Sequence, residues 1–157
     1  MSKRLTPGDK APDFELPDDQ NGVRSLKSYA GQKLVLYFYP KDDTTGCTKE
    51  ALDFSALKDD FERIGTSVLG VSPDTLASHA KFKTKHKLGL DLASDTTTSM
   101  LQAYGVWTEK SMYGRKYMGV ERTTFLIDRN GRIAAIWNKV KVPDHAETVF
   151  QAARDLA

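Results

Sequence analysis

Cys47 is the one thiol in a chain of 157 residues, and it stands in Tyr39-Pro40-Lys41-Asp42-Asp43-Thr44-Thr45-Gly46-Cys47-Thr48-Lys49-Glu50. A lone cysteine is by default a small buried hydrophobe. Here its surroundings argue for chemistry. Residues 34–39 are an unbroken apolar and aromatic run, the pattern of a central strand covered on both faces, and Pro40 ends it. Residues 47–64 carry Phe54, Leu57, Phe61 and Ile64 as an apolar stripe, which predicts a helix stopped by Gly65. Cys47 thus falls just past the carboxyl end of a central strand and in the first turn of a helix. Open α/β sheets place ligands in that crevice. Unpaired amides and the positive end of the helix dipole favour the thiolate there, and thiolate is the nucleophilic form. At about 100° per residue, Cys47, Phe54 and Phe61 share one face, so the sulfur is expected to point into the protein.

Other groups have plainer readings beside functional ones. Thr44 has the residue type of a helix cap or turn. Arg122 by itself reads as a solvated strand-end charge. Glu50, three residues after Cys47, suits the helix dipole as a surface carboxylate, with a lesser case for orienting an arginine. His79 and His86 lie seven apart on a helix face rich in lysine (Lys81, Lys83, Lys85, Lys87). No carboxylate or cysteine completes a ligand set for them, so solvated histidines are expected rather than a metal. His145 has no visible partner. Trp107, Met112, Tyr113, Tyr117 and Met118 occupy a glycine-punctuated loop before Arg122, suited to an apolar wall beside the pocket or to ordinary packing.

The elements that must position these groups follow from the rest of the chain. Residues 13–16, followed by Asn21-Gly22, read as a small hairpin ahead of the main fold. Residues 67–71 form a second strand, and Pro73-Asp74 open a helix toward Leu88. A weak strand at 90–93 precedes a short helix at 98–104. Residues 123–127 and 132–137 flank Asp128-Arg129-Asn130-Gly131 as an antiparallel hairpin. A last helix from Pro143-Asp144 buries Ala146, Val149, Phe150, Ala153 and Leu156. Alternating strands and helices imply parallel strands with right-handed crossovers. The expected fold is α/β, a mixed sheet with helices on both faces.

Size predicts one domain over residues 1–157. Apolar residues at 39% and charged residues at 28% provide for a core and exclude disorder. A formal net charge of +2 gives no case for nucleic acid or an anionic membrane as partner. The longest apolar run is far short of the roughly 20 residues a membrane span needs. The N-terminal residues lack an apolar h-region, so no secretory signal is expected. One cysteine excludes an internal disulfide and a cysteine-cluster metal site. The expected location is the cytoplasm.

Pro40-x-x-x-Thr44-x-x-Cys47 resembles the signature of the peroxiredoxins, thiol peroxidases on the thioredoxin fold. The wider Tyr39-Pro40-Lys41-Asp42-Asp43-Thr44 and Gly46-Cys47-Thr48-Lys49-Glu50-Ala51 are similar to the bacterioferritin-comigratory, or Q-type, subfamily. Gly8-Asp9-Lys10-Ala11-Pro12-Asp13-Phe14, Gly70-Val71-Ser72-Pro73-Asp74, Ser94-Asp95 and residues 122–128 extend the resemblance over nearly the whole chain. Two departures stand out. Thr45 replaces the proline common before the Gly-Cys pair, and Leu52 holds a place where many members carry a resolving cysteine.

The resemblance implies a thioredoxin-like fold and a peroxidase with Cys47 as peroxidatic nucleophile. Thr44 would bind peroxide through its hydroxyl, Pro40 would shield and shape the site, and Arg122 would be the family arginine. Hydrogen peroxide or an organic hydroperoxide would oxidise Cys47 to sulfenic acid, and an external thiol would return it. That reductant would be thioredoxin, or a low-molecular-weight thiol with a glutaredoxin-like protein. No cofactor and no metal are implied, and a monomer is expected ahead of a dimer. The rival is a non-enzymatic redox sensor in which oxidised Cys47 switches a partner's binding.

Overall fold

The computed structural model describes residues 4–20 and 22–156. Strands β1 (Glu15–Pro17) and β2 (Val23–Ser25) form the expected N-terminal antiparallel hairpin. Asn21 of the expected turn lies outside the described residues. Asp18 organises this turn, its carboxylate accepting from the Gln20 and Gly22 amides and from Arg24. A 3₁₀ turn over Leu26–Tyr29 then leads into β3 (Lys33–Phe38). Next come α1 (Thr45–Ala56), α2 (Lys58–Arg63), β4 (Thr66–Ser72), α3 (Leu76–His86), β5 (Asp91–Ser94) and α4 (Ser99–Ala103). The chain ends with β6 (Trp107–Met112), β7 (Arg115–Val120), β8 (Thr123–Ile127), β9 (Ile133–Trp137) and α5 (His145–Asp155).

The central sheet has the order β5-β4-β3-β8-β9, with β3, β4 and β5 parallel and β8 and β9 antiparallel additions. This is the mixed, thioredoxin-like α/β sheet expected. Every residue of β3 is buried because both faces are covered. Successive side chains alternate between faces. Leu34, Leu36 and Phe38 join Phe14, Leu101, Tyr104 and Phe125 in one core. Val35, Tyr37 and Tyr39 join Cys47, Phe54, Phe61, Phe82 and Val149 in the other.

Three elements differ from expectation. The helix expected over 47–64 starts at Thr45 and breaks at Leu57 (φ −98°, ψ 1°), which leaves Phe61 of α2 edge-on to Phe150 of α5. The helix expected from Pro73-Asp74 starts at Leu76, because Thr75 supplies the cap by accepting from the Ser78 amide. Asp74 is instead engaged with Ser72 and Asp42. The loop before Arg122 is the β6–β7 hairpin, turned by Tyr113 (φ 53°) and Gly114 (φ 79°). Positive φ at both central residues suits the twist of a two-residue hairpin. Met112, Tyr113, Tyr117 and Met118 on it are exposed, so they are not core packing, and Trp107 packs against the first core. In α5, Phe150 and Leu156 are half-buried, and His145 takes a place in the core. No described helix is long and apolar enough to cross a membrane.

Candidate active site

The register of the sheet assembles the site. Phe38, the last residue of β3, pairs with Thr123, the first of β8. The residue before β8, Arg122, is thereby brought beside the chain leaving β3 toward α1. The Arg122 carbonyl accepts from the Val140 amide at 2.9 Å, which fixes the short link from β7.

Thr44 is the N-cap residue of α1 by backbone geometry, and Cys47 lies in the first turn, only 2% exposed. The Arg122 guanidinium forks between two partners. Nη2 donates to Cys47 Sγ at 3.3 Å, and Nη1 donates to Glu50 Oε1 at 2.6 Å. A Cβ on Gly46 would come within 3.1 Å of Arg122 Nη2, so glycine leaves room for this approach. Burial favours losing the arginine's charge, but Glu50 and Cys47 outweigh it and raise the guanidinium pKa further. Arg122 is a fixed cation.

Glu50 corrects the expectation of a surface carboxylate. It is 1% exposed, and burial pushes it up to about 7 against the pull of Arg122. Its second oxygen, Oε2, and the Tyr37 hydroxyl are both buried without a hydrogen-bond partner among the described residues. Tyr37 stacks on Phe54 at 4.7 Å and on Tyr39 at 5.6 Å, and forms the floor under α1. Burial first, then Glu50 and Cys47, holds its phenol neutral far above the usual range. Gly70 is needed beneath it, since a Cβ there would meet the Tyr37 ring at 2.7 Å.

The loop over 40–44 keeps Thr44 exposed and Pro40 half-buried. The Thr44 hydroxyl makes no cap bond; it donates to the Lys41 carbonyl at 2.8 Å. The histidines also depart from expectation. His79 is fully buried, with Nδ1 at 2.7 Å from Asp42 Oδ2 and Nε2 at 3.0 Å from the Ala93 carbonyl. His86 meets Asp43 at 2.7 Å. His145 has a partner after all, Thr124 Oγ1 at 2.8 Å, and burial together with Arg122 pushes it down to about 4. From the sequence, His79 and His86 are expected to be solvated, and His145 shows no partner. Only the phenylalanines spaced seven from Cys47 hinted that this helix face, and Glu50 beside it, lies inside.

Residues 7–136 match the AhpC/TSA family. Peroxiredoxin Bcp of Bacillus subtilis is 45% identical over 150 residues, 96% of each chain. The chain is a peroxiredoxin of the AhpC/TSA family. A putative peroxiredoxin bcp of Coxiella burnetii is 48% identical over 142 residues, 90% of this chain and 94% of that one. Among solved structures, a mutant of Xylella fastidiosa PrxQ matches with a TM-score of 0.91 at 39% identity, covering 96% of each chain. The bacterioferritin comigratory protein of Xanthomonas campestris, studied for alkyl peroxide reduction, matches with a TM-score of 0.86 at 41% identity over 90% of each chain. Peroxiredoxins are thiol-dependent peroxidases, so this one takes a peroxide as oxidant and a thiol as reductant.

Proposed function

We propose that Cys47 is the peroxidatic nucleophile of a one-cysteine cycle, with Arg122, Thr44 and Pro40 completing the site. The observation that carries this reading is the guanidinium of Arg122 at 3.3 Å from a buried sulfur in the first turn of α1. The Cys47 thiolate attacks one oxygen of hydrogen peroxide or of an organic hydroperoxide, the O–O bond breaks, and water or an alcohol leaves once the departing oxygen takes up a proton. Cys47 is left as sulfenic acid. Negative charge moves from sulfur toward the leaving oxygen. Arg122 holds Glu50 with one arm, which leaves further N–H donors of its rigid fork for the substrate oxygens. Only the part of that interaction that strengthens in the transition state speeds the step.

Thr44 spends its own proton on the Lys41 carbonyl, so toward a peroxide it serves as an acceptor for the O–H. Pro40 shapes the start of the loop, and Glu50 orients Arg122. An external thiol then condenses with the sulfenic acid to a mixed disulfide and water, and a second thiol releases Cys47. Thioredoxin is the proposed reductant, with a low-molecular-weight thiol and a glutaredoxin-like protein as the second choice. We further propose a single domain over 1–157, a monomeric state and a cytoplasmic location; two cores built on one shared sheet support the single domain. A steady-state peroxide-consumption assay against a panel of these reductants tests the cycle. Multiple turnovers are expected for the native chain and none for Cys47→Ser. Turnover by Cys47→Ser, or a single stoichiometric oxidation with every reductant, would overturn it.

A further inference from the structure

The loop that carries Thr44 is gripped from outside the site, by α3. Asp42 is buried, and its carboxylate accepts on both oxygens. Tyr39 Oη donates to Oδ1 at 2.6 Å, Ser78 Oγ donates to Oδ2 at 2.8 Å, and His79 Nδ1 lies 2.7 Å from Oδ2. The Ala93 carbonyl is an acceptor only, so His79 Nε2 carries a proton toward it and the ring is fixed at both nitrogens. The backbone of Asp42 is held as well. Its N–H donates to Asp74 Oδ2 at 2.8 Å, and that oxygen also accepts from Ser72 Oγ at 2.7 Å. One residue on, Asp43 sits at a positive φ of 60° and is tied to Lys85 and His86 of the same helix.

These bonds converge on one peptide unit. The N–H of the peptide between Lys41 and Asp42 is fixed by Asp74, and its C=O is the acceptor that orients the Thr44 hydroxyl. A peptide is planar, so its carbonyl cannot turn without turning its N–H. We propose that Asp42, held by His79 and Ser78, is a positioning residue of the peroxidase: it locks the Lys41–Asp42 peptide and thereby aims the Thr44 hydroxyl at the bound peroxide. This rests on the reading of Thr44 as a peroxide contact. The Asp42–His79 pair ties the loop to α3, whereas the described partner of the Cys47 sulfur is Arg122.

The test compares two reactions of Cys47 in the full chain. Oxidation by hydrogen peroxide needs an aimed Thr44 hydroxyl; alkylation by iodoacetamide needs the thiolate and access to it, but no Thr44 hydroxyl. His79→Gln and the milder Ser78→Ala are measured alone and combined with Thr44→Val. Misplacement of a reacting group by about 1 Å can cost on the order of a hundredfold. His79→Gln is expected to slow peroxide oxidation about tenfold to a hundredfold and Ser78→Ala by less. Alkylation should stay within about twofold of native. In the Thr44→Val background both substitutions should have almost no further effect, because the group they aim is gone. Equal losses in both reactions, or losses that multiply in the Thr44→Val background, would reduce Asp42 and His79 to general support and overturn the proposal. So would native peroxide rates in both variants. Thr44→Val oxidising at the native rate would instead remove the reading of Thr44 itself. If His79→Gln does not fold, Ser78→Ala decides by the same comparison.

Discussion

Gly46 and Arg122 illustrate how little separates a packed site from a working one. The atom nearest a Cβ at position 46 is the end of the Arg122 side chain, 3.1 Å away, so Gly46→Ala is expected to keep the fold and to push the guanidinium off the sulfur by a few tenths of an ångström. Alanine is also the better helix former, by up to about 1 kcal/mol in a helix interior and less in a first turn. Stability and activity are therefore expected to move in opposite directions. Gly46→Ala should unfold at the native denaturant concentration or slightly above it, while peroxide oxidation slows about tenfold. A native oxidation rate would mean that the Arg122–Cys47 contact is dispensable.

At the scale of elements, α5 supports the helix that carries Cys47. His145 of α5 meets the ring of Phe54 in that helix edge-on at 6.0 Å, and Phe150 meets Phe61 of the following α2 at 5.3 Å. The far end of α5 is held by a strand residue. Lys33, the first residue of β3, is buried and donates to the carbonyls of Ala153 and Leu156 at 2.7 and 2.9 Å. Both lie at the helix end, where the Ala153 carbonyl otherwise accepts only from the Leu156 amide at 3.3 Å. Burial, and secondarily Arg129, lowers the amine's pKa. Lys33→Met keeps the apolar stem and removes both bonds; the Ala153 carbonyl keeps the Leu156 amide, so the loss is that of hydrogen bonds from a charged donor, about 1.5–3 kcal/mol. The expected variant is less stable by about that amount, exchanges the last-turn amides of α5 faster, and oxidises at the native rate. Unaltered stability would show that water replaces the ammonium at no cost.

For the whole molecule, two buried groups that face Arg122 titrate against each other. Glu50 rises from 4.5 to about 7 on folding, so between those values the native state holds a proton the unfolded chain has lost. Its contribution is complete below pH 4.5 and is lost as pH rises through 7. His145 falls from 6.5 to about 4, so there the unfolded chain binds the extra proton. Its contribution is present above pH 6.5 and is lost as pH falls toward 4. Each slope is at most about 1.4 kcal/mol per pH unit, and the two oppose one another from about 4.5 to 6.5. Single substitutions should expose them. Relative to the native chain, Glu50→Gln is expected to gain stability more steeply with rising pH across this window, and His145→Gln to lose it. Denaturant unfolding at several pH values measures both; two curves parallel to the native one would contradict the burial assigned to these groups.

Local patterns were enough to place Cys47 in the fold. An apolar run ended by Pro40 marks a central strand, the spacing of Cys47, Phe54 and Phe61 aims the sulfur inward, and Asn130-Gly131 marks the β8–β9 turn; each is a property of neighbouring residues. The motif around Cys47 and the blocks along the chain carried the family in the same way. The partners of that thiol were another matter. Glu50 and Arg122 are 72 residues apart, and Asp42 and His79 are 37 apart. No local pattern encodes such pairs, and charged and imidazole side chains face water unless a specific partner meets them inside. That partner was provided by sheet order: β8 beside β3 in the register Phe38 to Thr123 carries Arg122 to Cys47 and Glu50, and the crossover from β4 lays α3 against the loop that holds Thr44. The sequence alone determined the family, the kind of fold and the place of its one thiol at a strand-to-helix crevice; the tertiary structure decided which charges are buried around that thiol, because only chain topology brings their counterparts within hydrogen-bonding distance.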